Sequence, residues 1–170
     1  MIRNVAIMFL ILGIASMGCY KPKHIRPVDY TKLEKIMPEN IGGIPQISLT
    51  GEQNDNRGFY MSYATAEYSQ GTSMLSLSIV DIGSDKNALG QLTPWYSQDI
   101  NREDDKVIER TGKMHKSKYF ERVDKLGQNG ELMMAYQDRF VIALKSAGFS
   151  SEVMHQAVDA LDLKALKKVK

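Results

Sequence analysis

The sequence predicts an α+β domain with a mainly antiparallel sheet of about six to seven strands and helices packed on it, in the manner of an α-β-α sandwich. Three observations support this class. Residues 59–80 alternate between apolar and polar side chains, residues 84–100 carry apolar side chains at three- and four-residue spacings, and residues 106–146 contain short apolar runs separated by turn residues. Because strands and helices do not alternate strictly along the chain, parallel βαβ units are not expected.

Two segments favour helix before the carboxyl half. Residues 29–37 favour a short helix that Asp29 or Thr31 could cap. Residues 84–100 contain the longer helical stripe, and Pro94 is expected to kink it or divide it into two short pieces.

The first strands lie between these helices. Residues 44–49 predict a strand, and the polar residues 52–58 predict the turn after it. The arms 59–64 and 75–79 then predict a β-hairpin, with its turn at residues 69–72, where Gly71 can adopt a positive φ.

The carboxyl half predicts a meander of four strands and a final helix. The charged residues 101–106 predict a loop, and Asn129-Gly130 predicts a type I′ turn. The final helix is expected to start after Ser150 or Ser151, and the four strands are expected at 106–111, 118–124, 131–137 and 139–146. In the last strand, one face is apolar and the other carries Arg139 and Lys145, so the sheet is expected to be covered on one side.

The order of these elements resembles the Mog1/PsbP-type α-β-α sandwich, a scaffold used for interactions and small ligands. The chain is also similar to small bacterial envelope proteins of uncharacterised function. That similarity rests on Met37-Pro38, Ile41, Gly42, Tyr63, Tyr68, Gly71, Ile79, Asp81, Gly83, Gly130-Glu131-Leu132, Arg139-Phe140, Val141 and Leu161-Asp162-Leu163. Neither resemblance assigns an activity to any residue.

The amino terminus predicts export. Arg3 precedes an apolar core at residues 5–14, which is shorter than the roughly 20 residues that span a bilayer, so a cleavable signal peptide at residues 1–18 is expected. The stretch Ser16-Met17-Gly18-Cys19 resembles the lipobox of bacterial lipoproteins, although leucine is commoner at the position of Ser16 and alanine or serine at that of Met17. That resemblance implies cleavage after Gly18 and diacylglycerol, with palmitate-type acyl chains, on Cys19.

Two other outcomes remain open for this segment. Plain secretion would leave Cys19 as an unpaired thiol, and a retained anchor would keep the apolar core. The lipidated form would have a tether at residues 19–28 and a single domain at residues 29–170. The lipobox resemblance implies a periplasm-facing protein of the cell envelope, and Tyr20 after the cysteine mildly favours the outer over the inner membrane.

Composition excludes several classes of protein. The 22 basic and 20 acidic residues are nearly balanced, which argues against a nucleic-acid-binding protein. The single cysteine excludes a disulfide scaffold within the chain, and no cofactor motif is present. His115 and His155 are far apart and lack metal-ligand spacing, and the acidic run 103–105 does not follow a calcium-loop pattern, so no metal site is expected.

Two groups of residues are the remaining candidates. Alternation points Asp81 toward the core, where it should bind backbone amides of the following turn, and Arg139 is its candidate ionic partner. A ligand or partner surface could be formed by the aromatic side chains of Tyr60, Tyr63, Tyr68, Trp95 and Tyr96, although ordinary core packing also explains them. The sequence therefore predicts a lipid-anchored envelope protein, without catalytic residues, that binds a protein or stabilises a complex. The alternatives are a carrier or sensor of a small apolar ligand and, third, an enzyme with an unrecognised site.

Overall fold

The computed structural model describes residues 25–56, 59–126 and 128–170. The predicted signal peptide, Cys19 and residues 19–24 of the predicted tether lie outside the described residues.

Apolar alternation along most of the chain produces one antiparallel sheet. Its strands are β1 Asn40–Ile41, β2 Ile44–Asn56, β3 Phe59–Gln70, β4 Ser73–Asp81, β5 Asn101–Glu103, β6 Val107–Met114, β7 Ser117–Asp124, β8 Asn129–Tyr136 and β9 Phe140–Ala147. The helices are α1 Tyr30–Glu34, α2 Lys86–Leu92, α3 Ser151–Ala160 and α4 Leu163–Lys168. The strand order is β1-β2-β3-β4-β9-β8-β7-β6-β5, so two meanders meet where β4 pairs with β9.

The predicted α+β class is therefore wrong, because the described chain has a β-rich fold with nine strands and four short helices. The two strands that were not predicted are β1 and β5, and β2 is longer than predicted. Residues 52–56 continue β2 because they pair with β3, and the predicted loop contains the edge strand β5. Helix α2 is capped by Asp85 and ends at Leu92, so the helical stripe is interrupted before Pro94 as predicted, but a turn follows in place of a second helical piece.

Apolar side chains cover both faces of the sheet, which corrects the prediction of cover on one side. The larger cluster packs α1, α3 and α4 against the first face, where Leu77, Ile142 and Leu144 are buried. A smaller cluster packs α2 and Trp95 against Val141 on the second face. Both faces are used because β9 is apolar at consecutive positions, so its alternate side chains supply both clusters.

The turns show where local signals succeed and fail. Gly71 has a φ of 64° in the predicted β3–β4 turn. Asn129-Gly130, predicted as a turn, pairs within β8 instead. Gly130 lets α3 approach closely, since a Cβ there would lie 2.5 Å from the Cε of Met154, and that side chain would have to move.

A row of charged and polar side chains crosses the second face, one residue per strand. Facing pairs are set by the strand register, and the row runs Arg102, Glu109, Arg122, Glu131, Lys145, Ser76, Glu67. Arg122 Nε lies 3.5 Å from Glu109 Oε1, and Lys145 Nζ lies 3.8 Å from Glu131 Oε1. This row keeps the second face in contact with solvent away from α2.

Candidate functional site

The five aromatic residues predicted as a surface are not brought together by the fold. Tyr68 is fully buried and its hydroxyl donates to the Pro38 carbonyl at 2.7 Å, while Trp95 is buried in the second cluster. Tyr60 and Tyr63 lie three residues apart on β3 and therefore on opposite faces of the sheet. Tyr96 is exposed beside Trp95, with ring centroids 6.1 Å apart. Tyr68 and Trp95 thus fill the core rather than line a groove.

Trp95, in the turn after α2, packs against both the sheet and α2. Its ring stacks on that of Phe120, with centroids 6.1 Å apart and an interplanar angle of 25°.

Burial raises the pKa of the Tyr68 hydroxyl to about 12, since ionisation would place a charge in the apolar core.

Asp81 and Arg139 form the ion pair that the sequence suggested. Arg139 Nε donates to Asp81 Oδ1 at 2.8 Å and Arg139 Nη2 donates to Oδ2 at 2.6 Å, a two-point contact in which the carboxylate is fully buried. The expected turn contact is also present, because the Gly83 amide donates to Oδ1 at 2.8 Å. The Val28 amide completes the set at 2.9 Å from Oδ2.

The same pair holds the two ends of the domain together. Arg139 Nη1 donates to the Val169 carbonyl at 3.0 Å, while Asp81 holds Val28. Earlier in the amino-terminal segment, Ile25 and Ser84 exchange hydrogen bonds. The Ser84 amide donates to the Ile25 carbonyl at 3.0 Å, and the Ile25 amide donates to Ser84 Oγ at 3.0 Å. Residues 25–28 of the predicted tether are therefore held by hydrogen bonds to the end of β4 and to the turn that follows it.

A second buried carboxylate, Glu121 on β7, was missed by the sequence interpretation. Arg110 Nε donates to Glu121 Oε2 at 2.7 Å, and His155 Nε2 lies 3.2 Å from Oε1. The hydrogen bond that Arg110 donates to Glu121 raises the pKa of the Arg110 guanidinium. The signal was present, because Glu121 shares its alternation with Tyr119 and Val123 on the core face.

The remaining polar candidates are engaged within the chain. His115 Nε2 lies 2.7 Å from Asp159 Oδ1, although both side chains are partly exposed. Asp104 Oδ1 accepts from the amides of Lys106 and Val107, each at 2.7 Å, and these bonds lower the pKa of the Asp104 carboxyl. Within the described ranges, no group of three or more histidine, aspartate or glutamate side chains could hold a metal ion.

The two edges of the sheet differ strongly. The edge formed by β5 is three residues long and polar throughout. At the other edge, β1 covers only Ile44 and Pro45, and in the described part of the chain residues 48–56 pair with β3 alone. Ile47 and Leu49 on this strand are 57% and 38% exposed. A bulge between Gln46 and Ser48 is the feature that interrupts this edge.

Comparison with protein families, curated proteins and solved structures finds no match for this chain. None of the helices in the described ranges is long and apolar enough to cross a membrane.

Proposed function

We propose that this chain is a lipid-anchored, periplasm-facing binding module of the bacterial cell envelope that acts without catalysis. Its anchor is diacylglycerol attached to the Cys19 thiol before residues 1–18 are cleaved off, and the support for this is the lipobox resemblance of Ser16-Met17-Gly18-Cys19. The outer membrane is its proposed destination, because Tyr20 follows the cysteine in place of the aspartate that retains enteric lipoproteins in the inner membrane.

The observation that carries the binding role is the open edge of β2. A strand edge presents unpaired amide and carbonyl groups that can accept an extended segment of another protein as an additional strand. Ile47 and Leu49 add exposed apolar side chains along that edge, which would contribute further to binding. The proposed partner surface is therefore the edge of β2 and not the aromatic residues, and its proposed occupant is an extended protein segment.

The carrier alternative has less support. A carrier needs an apolar cavity, and two of the five aromatic side chains that would line it, Tyr68 and Trp95, are packed in the core.

The anchor is tested by processing in cells. Globomycin, which inhibits lipoprotein signal peptidase, should cause the unprocessed chain to accumulate, and metabolic palmitate should label the wild type but not Cys19→Ala. Unchanged maturation with globomycin and no acyl label would refute the anchor.

The β2 edge is tested by cross-linking in living cells. A photoreactive amino acid at Leu49 should give one discrete adduct, which an edge charge in Ile47→Lys should abolish. The same probe at Leu126, which is more exposed but lies in a turn, is the matched control. Equal adducts at the two positions, or an adduct that persists in Ile47→Lys, would argue against strand addition.

A further inference from the structure

One side of α4 is strongly basic. Lys164, Lys167 and Lys168 recur at the three- and four-residue spacing of one helix face, and all three are exposed, while Leu163 and Leu166 are buried beneath them. Among the described residues, none of these three lysines has an ion-pair partner. The helix thus packs by its apolar side and presents unneutralised charge on the other.

This basic face lies at the end of the sheet where the amino-terminal segment enters. The Tyr136 hydroxyl, at the end of β8, donates to the Leu163 carbonyl at 2.9 Å. The residue after α4, Val169, binds Arg139, and Arg139 binds Asp81, which holds Val28. Two hydrogen-bonded side chains therefore connect the start of the domain to the end of α4.

Helix α1 adds positive charge beside α4. Lys32 Nζ donates to the Lys170 carbonyl at 2.7 Å, which places the two elements next to each other. Together, residues 25–35 and 162–170 contain seven basic side chains and three acidic ones, a net side-chain charge of +4: Arg26, Lys32, Lys35, Lys164, Lys167, Lys168 and Lys170 against Asp29, Glu34 and Asp162. Asp29 and Asp162 are committed to capping α1 and α4.

The length of chain before the described domain limits where this surface can be. Five residues lie between Cys19 and Ile25, and even a fully extended chain from Cys19 to Ile25 spans only about 20 Å. Since Ile25 is bound to Ser84 at this end of the sheet, a lipid on Cys19 would keep the basic end close to the bilayer.

From this geometry we infer that the basic surface of α4 and α1 docks on anionic phospholipid of the membrane that holds the anchor. Lysine clusters near a membrane are attracted by negatively charged headgroups over about one Debye length. This inference rests on the proposed anchor, and it adds a defined orientation: α4 faces the lipid, and the Asp104 turn at the opposite end of the sheet faces away.

The test uses the processed full-length protein in vesicles of phosphatidylcholine alone or with about one third phosphatidylglycerol. Lysines are labelled with an amine-reactive acetylating reagent and quantified by mass spectrometry. We expect Lys164, Lys167 and Lys168 to react about tenfold more slowly in the anionic vesicles and to recover in about 0.5 M salt. Lys106 and Lys145, exposed at the opposite end, should react equally in both.

Two variants test whether the protection comes from electrostatic docking or only from the nearness to the bilayer that the anchor imposes. In anionic vesicles Lys35, at the end of α1, should also be protected in the wild type. The triple variant Lys164→Gln/Lys167→Gln/Lys168→Gln should lose that protection, whereas Lys106→Gln/Lys145→Gln should retain it. Equal labelling of the α4 lysines in the two vesicle types would overturn the inference. The intact mass of the same preparation reports whether Cys19 carries acyl chains, so failure of the anchor and failure of docking are distinguishable.

Discussion

Replacing Arg139 should lower the free energy of unfolding more than replacing any exposed charged residue. In Arg139→Met the Asp81 carboxylate stays fully buried but loses two charge-assisted hydrogen bonds, at 2.8 and 2.6 Å. A buried charge without its partner costs about 3–5 kcal/mol, which is about 10 °C in melting temperature for a chain of this size. The lost bond to Val169 adds to this cost.

The cost is best measured as a coupling energy. Urea unfolding can be followed by fluorescence of Trp95, the only tryptophan in the chain, and by circular dichroism of the sheet. We compare Asp81→Leu, Arg139→Met and the double variant, and expect the double variant to be about 2–3 kcal/mol more stable than the sum of the single effects predicts. Val28 and Gly83 lose their acceptor in both Asp81 backgrounds, so that loss cancels in the cycle.

An exposed pair provides the control for this cycle. Arg122 and Glu109 lie 3.5 Å apart with partly exposed side chains, and their coupling should be below about 1 kcal/mol. Additive effects of the Asp81 and Arg139 substitutions, within about 0.5 kcal/mol, would refute the assignment of Arg139 as the partner that stabilises Asp81.

Three further predictions concern stability. Because the pKa of Tyr68 is raised from 10 to about 12, its contribution is complete below pH 10 and is lost as the pH rises toward 12; urea unfolding should show this decline in the wild type, and an equal decline in Tyr68→Phe would contradict it. Gly130→Ala should destabilise by about 1–3 kcal/mol, since the new Cβ meets Met154 Cε at 2.5 Å; an unchanged unfolding midpoint would show that Met154 can move away freely. Gly90→Ala, in open space on α2, should instead stabilise by up to about 1 kcal/mol, and a loss of stability there would contradict the helical assignment.

Local signals in the sequence located the features whose causes are themselves local. Asp29, one of the two predicted caps of α1, caps that helix, its Oδ1 accepting from the amide of Thr31. Alternation along β4 correctly placed Asp81 on the core face, and Gly71 marked its hairpin. Each of these outcomes depends on residues within a few positions of one another.

The missed features depend on contacts between distant residues. An asparagine-glycine pair usually signals a two-residue hairpin turn between neighbouring strands. Asn129-Gly130 carries that signal but lies in β8, where α3 approaches closely. The open edge was hidden for the same reason, since the polar residues 52–56 become strand only by pairing with β3.

The charged row across the second face has a consequence for how the sheet finds its pairing. If a strand slips by one residue along its neighbour, its apolar side chains move to the other face, so the apolar alternation disfavours that register. A slip of two residues leaves every side chain on its own face. In one direction, a two-residue slip of β7 would bring Asp124 opposite Glu131 on β8, or opposite Glu109 on β6, in place of Arg122. Facing like charges are unfavourable. These solvent-exposed side chains therefore help to specify the strand register in a sheet whose apolar pattern alone would allow several registers.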